Sequence, residues 1–162
     1  MYADILNLGT IFGVEARAEA LVEGYESELK NFKASLTSIE EGLRVFVYDS
    51  GEDAPFTAGR YAMPTALIEA AGGHNIMDDF NKSWGTVTWE EVVERDPQVV
   101  VIVNYGDVTA QQKRDYMMSN PAFKKISAVK NDRFITLEYV EATPGPRNIK
   151  AVKNLAGAFW TK

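Results

Sequence analysis

Val99-Val100-Val101-Ile102-Val103 is an unbroken run of β-branched apolar residues, and its reading decides the fold. A strand covered on one face alternates apolar and polar side chains. A strand covered on both faces does not, and that pattern belongs to parallel sheets flanked by helices. The run is of strand length and too short for a buried helix. Outward from it, helix and strand signals alternate. Upstream, Thr88 reads as a helix N-cap, with Glu91 completing a capping box. That helix stops before Asp96-Pro97, because the residue ahead of proline resists the helical conformation. Downstream, residues 109–119 read as a polar helix, 128–133 as a turn, and Phe134-Ile135-Thr136-Leu137 as another strand.

The remaining segments fit the same alternation. Leu43-Arg44-Val45-Phe46-Val47-Tyr48 is a short apolar and aromatic run, read as a buried strand. Residues 49–60, with Gly51, Pro55 and Gly59, read as a loop. Pro64 suits the first turn of a helix that runs through Ala66, Leu67, Ile68 and Ala70 and ends at Gly72-Gly73. Residues 75–86 look irregular, and a last helix follows Pro144-Gly145-Pro146 over residues 147–159. At the front, Ala16, Ala20, Tyr25, Leu29, Phe32 and Leu36 recur at helical spacing, so residues 15–36 read as one helix of roughly 30 Å. The expected fold is therefore α/β, a mainly parallel, helix-covered sheet (a Rossmann-like lobe) behind a long N-terminal helix.

Bulk properties narrow the function. The chain has 162 residues, 46% hydrophobic and 25% charged, enough for one domain with a real core. Its net charge of −6 argues against nucleic acid, whose affinity comes from clustered Lys and Arg. Lys124, Lys125 and Lys130 come nearest to a basic cluster and read as a solvated helix end. With no cysteine, disulfides, thiolate metal sites and Cys nucleophiles are excluded. No apolar stretch is long enough to span a bilayer. Met1-Tyr2-Ala3-Asp4 runs into a mixed segment rather than a leader peptide, so the chain is a mature form, a piece of a longer protein, or cytosolic. Enzyme readings fare poorly. There is no Gly-x-Ser-x-Gly elbow and no phosphate-binding glycine loop. The adjacent pairs Asp78-Asp79 and Glu90-Glu91 point apart, and no intrinsic cofactor is implied.

In open parallel sheets ligands gather at the carboxyl ends of strands. Those ends are residues 48–60, 104–107 and 138–147, all loop-like and carrying aromatic, Arg or Gly residues.

Several runs resemble the C-terminal lobe of substrate-binding proteins that serve ABC importers of iron-siderophores, haem and cobalamin. They are Pro55-Phe56-Thr57-Ala58-Gly59-Arg60, Ala71-Gly72-Gly73-His74-Asn75-Ile76, Thr88-Trp89-Glu90-Glu91-Val92 with Asp96-Pro97-Gln98-Val99, and Ala128-Val129-Lys130-Asn131-Asp132-Arg133. The resemblance divides the chain into residues 1–40, similar to the helix that links two lobes, and residues 41–162, similar to the second, ligand-binding lobe. The first lobe is absent from the match. It implies an extracytoplasmic setting, periplasmic or lipoprotein-anchored, and two partners: a small metal chelate and a membrane permease dimer. The implied ligands are a ferric siderophore, haem or cobalamin.

Individual residues carry competing roles. Glu90 matches the glutamate that in this family pairs with permease arginines, with Glu91 its neighbour; the competing role is a favourable charge in a first helical turn. Trp84 matches an aromatic that some relatives set against the ligand, and competes with half-buried packing. Arg60 and Arg147 could fork onto anionic chelate oxygens, or form surface ion pairs. Phe56, Tyr105 and Tyr139 are further aromatic candidates, with packing as the competing role. Trp89 and Trp160 fall in helical patterns and are expected in the core. His74, the only histidine, reads as a turn residue, with haem ligation by it or by a tyrosine as the competing role; one His beside Asp78 and Asp79 is too few ligands to argue a zinc or manganese site. The alternative to a transport component is a stand-alone α/β interaction or sensor domain that reuses the lobe.

Overall fold

The computed structural model describes residues 1–35 and 42–160. Val99–Asn104 (β5) is the centre of its sheet. It pairs in parallel with Leu43–Tyr48 (β1) on one side and Phe134–Glu138 (β6) on the other, and Gly73–Asn75 (β3) adds to the far edge of β1. The order is β3-β1-β5-β6, parallel throughout. Both faces of β5 are buried, as its unbroken apolar run requires. Val45, Val47, Val99, Val101 and Val103 face one layer, together with Met63–Ala70 (α3) and Asn148–Trp160 (α8). Phe46, Tyr48, Val100 and Ile102 face the other, with Trp89–Arg95 (α4), Ala110–Ser119 (α5), the short 3-10 turn Pro121–Phe123 and Ser127–Lys130 (α6).

The crossovers run in opposite directions. From β1 the chain passes through α3, in the first layer, to β3. From β3 it returns through α4, in the second layer, to the other side of β1. The direction of winding therefore reverses between β1 and β5. In sheets of this kind the crevice for a ligand opens at the carboxyl ends of the two strands that flank such a reversal.

Several expectations are corrected. Residues 75–86 are not wholly irregular: β3 ends at Asn75, and Trp84–Thr86 (β4) pairs antiparallel with Phe56–Ala58 (β2), which lies inside the segment read as a loop. His74 sits in β3 opposite Arg44 rather than in a turn. Residues 127–130 form a helical turn, α6. The front of the chain holds two helices, Tyr2–Phe12 (α1) and Glu15–Ser35 (α2), separated at Gly13, whose φ of 63° is the left-handed cap glycine adopts freely. Ile5, Leu8 and Phe12 recur at spacings of three and four along α1, a helical period ahead of the expected start at Glu15. Leu36 lies outside the described residues, as does the expected boundary at residues 40–41. Trp160 is 39% exposed instead of buried, its Nε1 donating to the Ala71 carbonyl at 3.1 Å. Trp89 is in the core as expected, its Nε1 donating to the Glu52 carbonyl.

The expected capping box at α4 is half formed. Thr88 Oγ1 accepts from the Glu91 amide at 3.2 Å, but the Glu91 carboxylate turns to Arg95 at 2.6 Å. The box at α5, Thr109 with Gln112, is complete.

Candidate functional site

Two short strands place the first aromatic pair. In the β2–β4 ribbon Phe56 stands opposite Thr86, and Ala58 opposite Trp84. Phe56 and Trp84 are then diagonal neighbours on one face, within reach of large rings. They stack with centroids 6.0 Å apart and planes 10° from parallel. The ribbon is anchored from beneath. Thr57 Oγ1 donates to the Val47 carbonyl at 2.5 Å. Asn75, fully buried, donates from Nδ2 to the Ala58 carbonyl and Thr65 Oγ1, and its Oδ1 accepts from the Met77 amide. Gly59 lets the segments close up, because a Cβ there would lie 2.5 Å from the Lys82 carbonyl oxygen. Asn75 and Gly59 thus have a physical reason to stand in the runs quoted above: they fix the position of Phe56.

Register places the second pair. Asn104 of β5 and Glu138 of β6 are partners at the end of the ladder, so the next residues, Tyr105 and Tyr139, leave adjacent strands side by side. Their rings stack at 4.4 Å and 23°. Asn104 Nδ2 donates to the Glu138 carboxylate, at 3.2 and 3.1 Å to its two oxygens. Behind Tyr105 lies Lys113, only 2% exposed, whose ammonium donates to the Val103 carbonyl at 2.8 Å and the Tyr105 carbonyl at 3.0 Å. Burial pushes the Lys113 ammonium below its ordinary pKa, and the negative charge of Asp49 pulls the other way. The polar character of α5 gave no signal that this lysine is buried.

Both pairs face one concavity of about 300 Å³, lined by Asp49, Phe56, Trp84, Val103, Tyr105, Tyr139, Ala142 and Thr143. It lies at the carboxyl ends of β1 and β5, where the winding reverses. Phe56, Tyr105 and Tyr139 are open to solvent, 37%, 53% and 48% exposed, so core packing does not account for them, whereas Trp84 is half-buried and also packs against the core. Four of the six proposed ligand residues meet here: Trp84, Phe56, Tyr105 and Tyr139. Asp49, Thr143 and Lys113 were not anticipated. Asp49 could have been read from its place directly after the first buried strand.

The two arginines are not part of this wall. Arg60 Nε donates to the Asp78 carbonyl at 2.7 Å, and Arg60 does not line the concavity. Arg147 is exposed just ahead of α8 and does not line the concavity. A roomier hollow of about 540 Å³ lies beside α4, lined by Asp79, Phe80, Thr88, Glu91 and Arg95 among others. Its charges satisfy one another: Arg95 holds Asp79 at 2.6 and 2.9 Å, Glu91 at 2.6 Å, and the Ile76 carbonyl. The hydrogen bond from Arg95 keeps the Asp79 carboxyl below its ordinary range. Mutually paired groups leave little to recognise a ligand, so the aromatic concavity is the better site. Glu90 is exposed, and no hydrogen bond or ion pair from the described residues holds its carboxylate. Among the described residues no group of His, Asp and Glu is placed to hold a metal ion, and no helix is long and apolar enough to cross a membrane.

Residues 1–140 match the family model described as periplasmic binding protein. The chain is 28% identical, over 163 aligned residues, to an uncharacterized ABC transporter substrate-binding lipoprotein of Bacillus subtilis, with 99% of this chain and 50% of that protein covered. Over 107 residues it is 29% identical to a cobalamin-binding protein of Halobacterium salinarum, 64% of this chain and 29% of that one. The crystal structure of a periplasmic binding protein from Veillonella parvula is similar with a TM-score of 0.89 at 34% identity, over 97% of this chain and 55% of that one. The chain thus spans about half the length, or less, of these relatives.

Proposed function

The chain belongs to the periplasmic binding protein family, and on that premise we propose that it supplies one half of the solute cleft of an ABC importer's binding protein. Work outside the cytoplasm follows from that membership. In this reading the aromatic concavity takes one face of a metal chelate or tetrapyrrole: a ferric siderophore, haem or cobalamin. The protein binds and hands over its solute, and does no chemistry on it.

The single observation that carries the reading is the convergence of two stacked aromatic pairs at the winding reversal of the sheet. Exposed rings around a concavity suit a ligand with broad apolar faces. Glu90, exposed at the start of α4, is the docking carboxylate for the permease, while Glu91 is engaged by Arg95. The other half of the cleft would come from a first lobe, as the greater length of the relatives suggests. Residues 1–40 act as its connector and residues 41–162 as the ligand lobe. The solvent-facing apolar side chains of α1, with Ile11 72% and Phe12 71% exposed, are where that lobe would pack.

The test is a fluorescence titration of the chain and of Trp84→Phe with a ferric hydroxamate, a ferric catecholate, haem and cobalamin, corrected for absorption by each chromophore. Saturable quenching by at least one chelate, reduced in the variant, is expected. Quenching that never saturates with any of them would overturn the reading.

A further inference from the structure

We propose that this half of the cleft selects a chelate of neutral or positive net charge and turns away polyanionic ones. The inference rests on the aromatic concavity being the solute site and adds the charge class of the solute.

Among the described residues the one carboxylate on the wall is that of Asp49, which accepts a hydrogen bond from the adjacent Ser50 hydroxyl at 3.0 Å. Among the described residues no lysine, arginine or histidine lines the wall. Lys113 lies behind the wall, on the backbone of two of its residues. It is buried, and two of its three N–H donors go to the Val103 and Tyr105 carbonyls. Its charge and that of Asp49 oppose each other within the wall. A second carboxylate, Glu138, stands at the end of β6 beside Tyr139, where Asn104 holds it. Of the two arginines suited by sequence to an anion, Arg60 donates its Nε to the Asp78 carbonyl and Arg147 does not line the wall.

A ferric tris-catecholate is a trianion whose charge sits on the oxygens around the metal. Recognising it calls for guanidinium or ammonium donors. Here it would meet rings and a carboxylate, and like charges brought together in a partly dehydrated pocket repel. A neutral ferric trihydroxamate, or a corrinoid fringed with amides, meets no such repulsion. A cationic chelate gains from the faces of the four rings.

The experiment titrates this chain with three probes: a neutral ferric trihydroxamate, its amine-bearing cationic analogue and a ferric tris-catecholate. Each is run at low and high salt, on wild type and on Asp49→Asn. The neutral and cationic probes are expected to bind at least about tenfold more tightly than the trianion at low salt, with the gap narrowing as salt screens the repulsion. Asp49→Asn should narrow it too, by raising affinity for the trianion and lowering it for the cationic probe while the neutral probe is unchanged. A trianion that binds as tightly as the others, or a gap untouched by both salt and the substitution, overturns the charge class and leaves the solute site standing. Silence from all three probes overturns the site itself, and this inference with it.

Discussion

Buried Asn75 donates to two oxygens and accepts from one amide, and so ties the β2 strand, the start of α3 and the turn after β3 together. Asn75→Ala would strand the Ala58 carbonyl and the Met77 amide. We expect a loss of about 1–3 kcal/mol in urea unfolding, the cost of burying unpaired polar groups. Tyr105 contributes in another way. Its ring stacks on Tyr139 and is half exposed, so Tyr105→Leu should leave stability nearly unchanged while weakening solute binding about tenfold, and Tyr105→Phe should keep most of the affinity. Parallel fluorescence titrations of the two variants check this. At this scale the sequence disclosed identities but not partners. Tyr105 and Tyr139 stand far apart in the chain, and only the β5–β6 register puts them side by side. Arg60 looked suited to an anion because the Asp78 carbonyl that takes its Nε is a backbone atom, invisible to any reading of side chains.

At the scale of elements, the strands buried on both faces were legible because their apolar runs admit no other environment. β2 and β4 were not, since three residues each give no period, and what defines them is pairing with each other and the Thr57 and Asn75 hydrogen bonds. The Asp96-Pro97 turn was legible as a stop, but not as a staple. Asp96 caps α4 at φ 42°, accepts from the Ser127 amide and hydroxyl at 2.7 and 2.8 Å, and pairs with Arg44. Desolvation would raise its pKa. The two Ser127 hydrogen bonds, with Arg44 and Lys130, outweigh it and hold the carboxyl below its ordinary range. A lowered folded pKa means that the stabilisation is full above the unfolded value of about 4 and is lost as pH falls through the folded one. Asp96→Asn should therefore cost about 1 kcal/mol at neutral pH. Its deficit should shrink below about pH 4, as thermal melts across that range would report. On α4 the same logic separates the two glutamates. Glu91 is bound to Arg95, whereas Glu90 is exposed and has no partner among the described residues, so Glu90→Gln should slow association with a permease more than Glu91→Gln does, with the larger salt dependence also lost in the former.

Across the whole molecule, the reversal of winding between β1 and β5 sets where a ligand can lie, and the aromatic pairs stand at that point. The alternation of strands and helices was enough to expect a carboxyl-edge site. Strand order was not, because order depends on which crossover goes over which face of the sheet. The direct measurement of the central claim is amide and indole chemical-shift mapping of the labelled chain during titration with a neutral ferric trihydroxamate, using the gallium analogue to avoid paramagnetic loss. The account expects saturable shifts clustered at Asp49, Phe56, Trp84, Tyr105, Tyr139 and Thr143. Shifts clustered instead around Asp79, Glu91 and Arg95, or none at saturating probe, would contradict it.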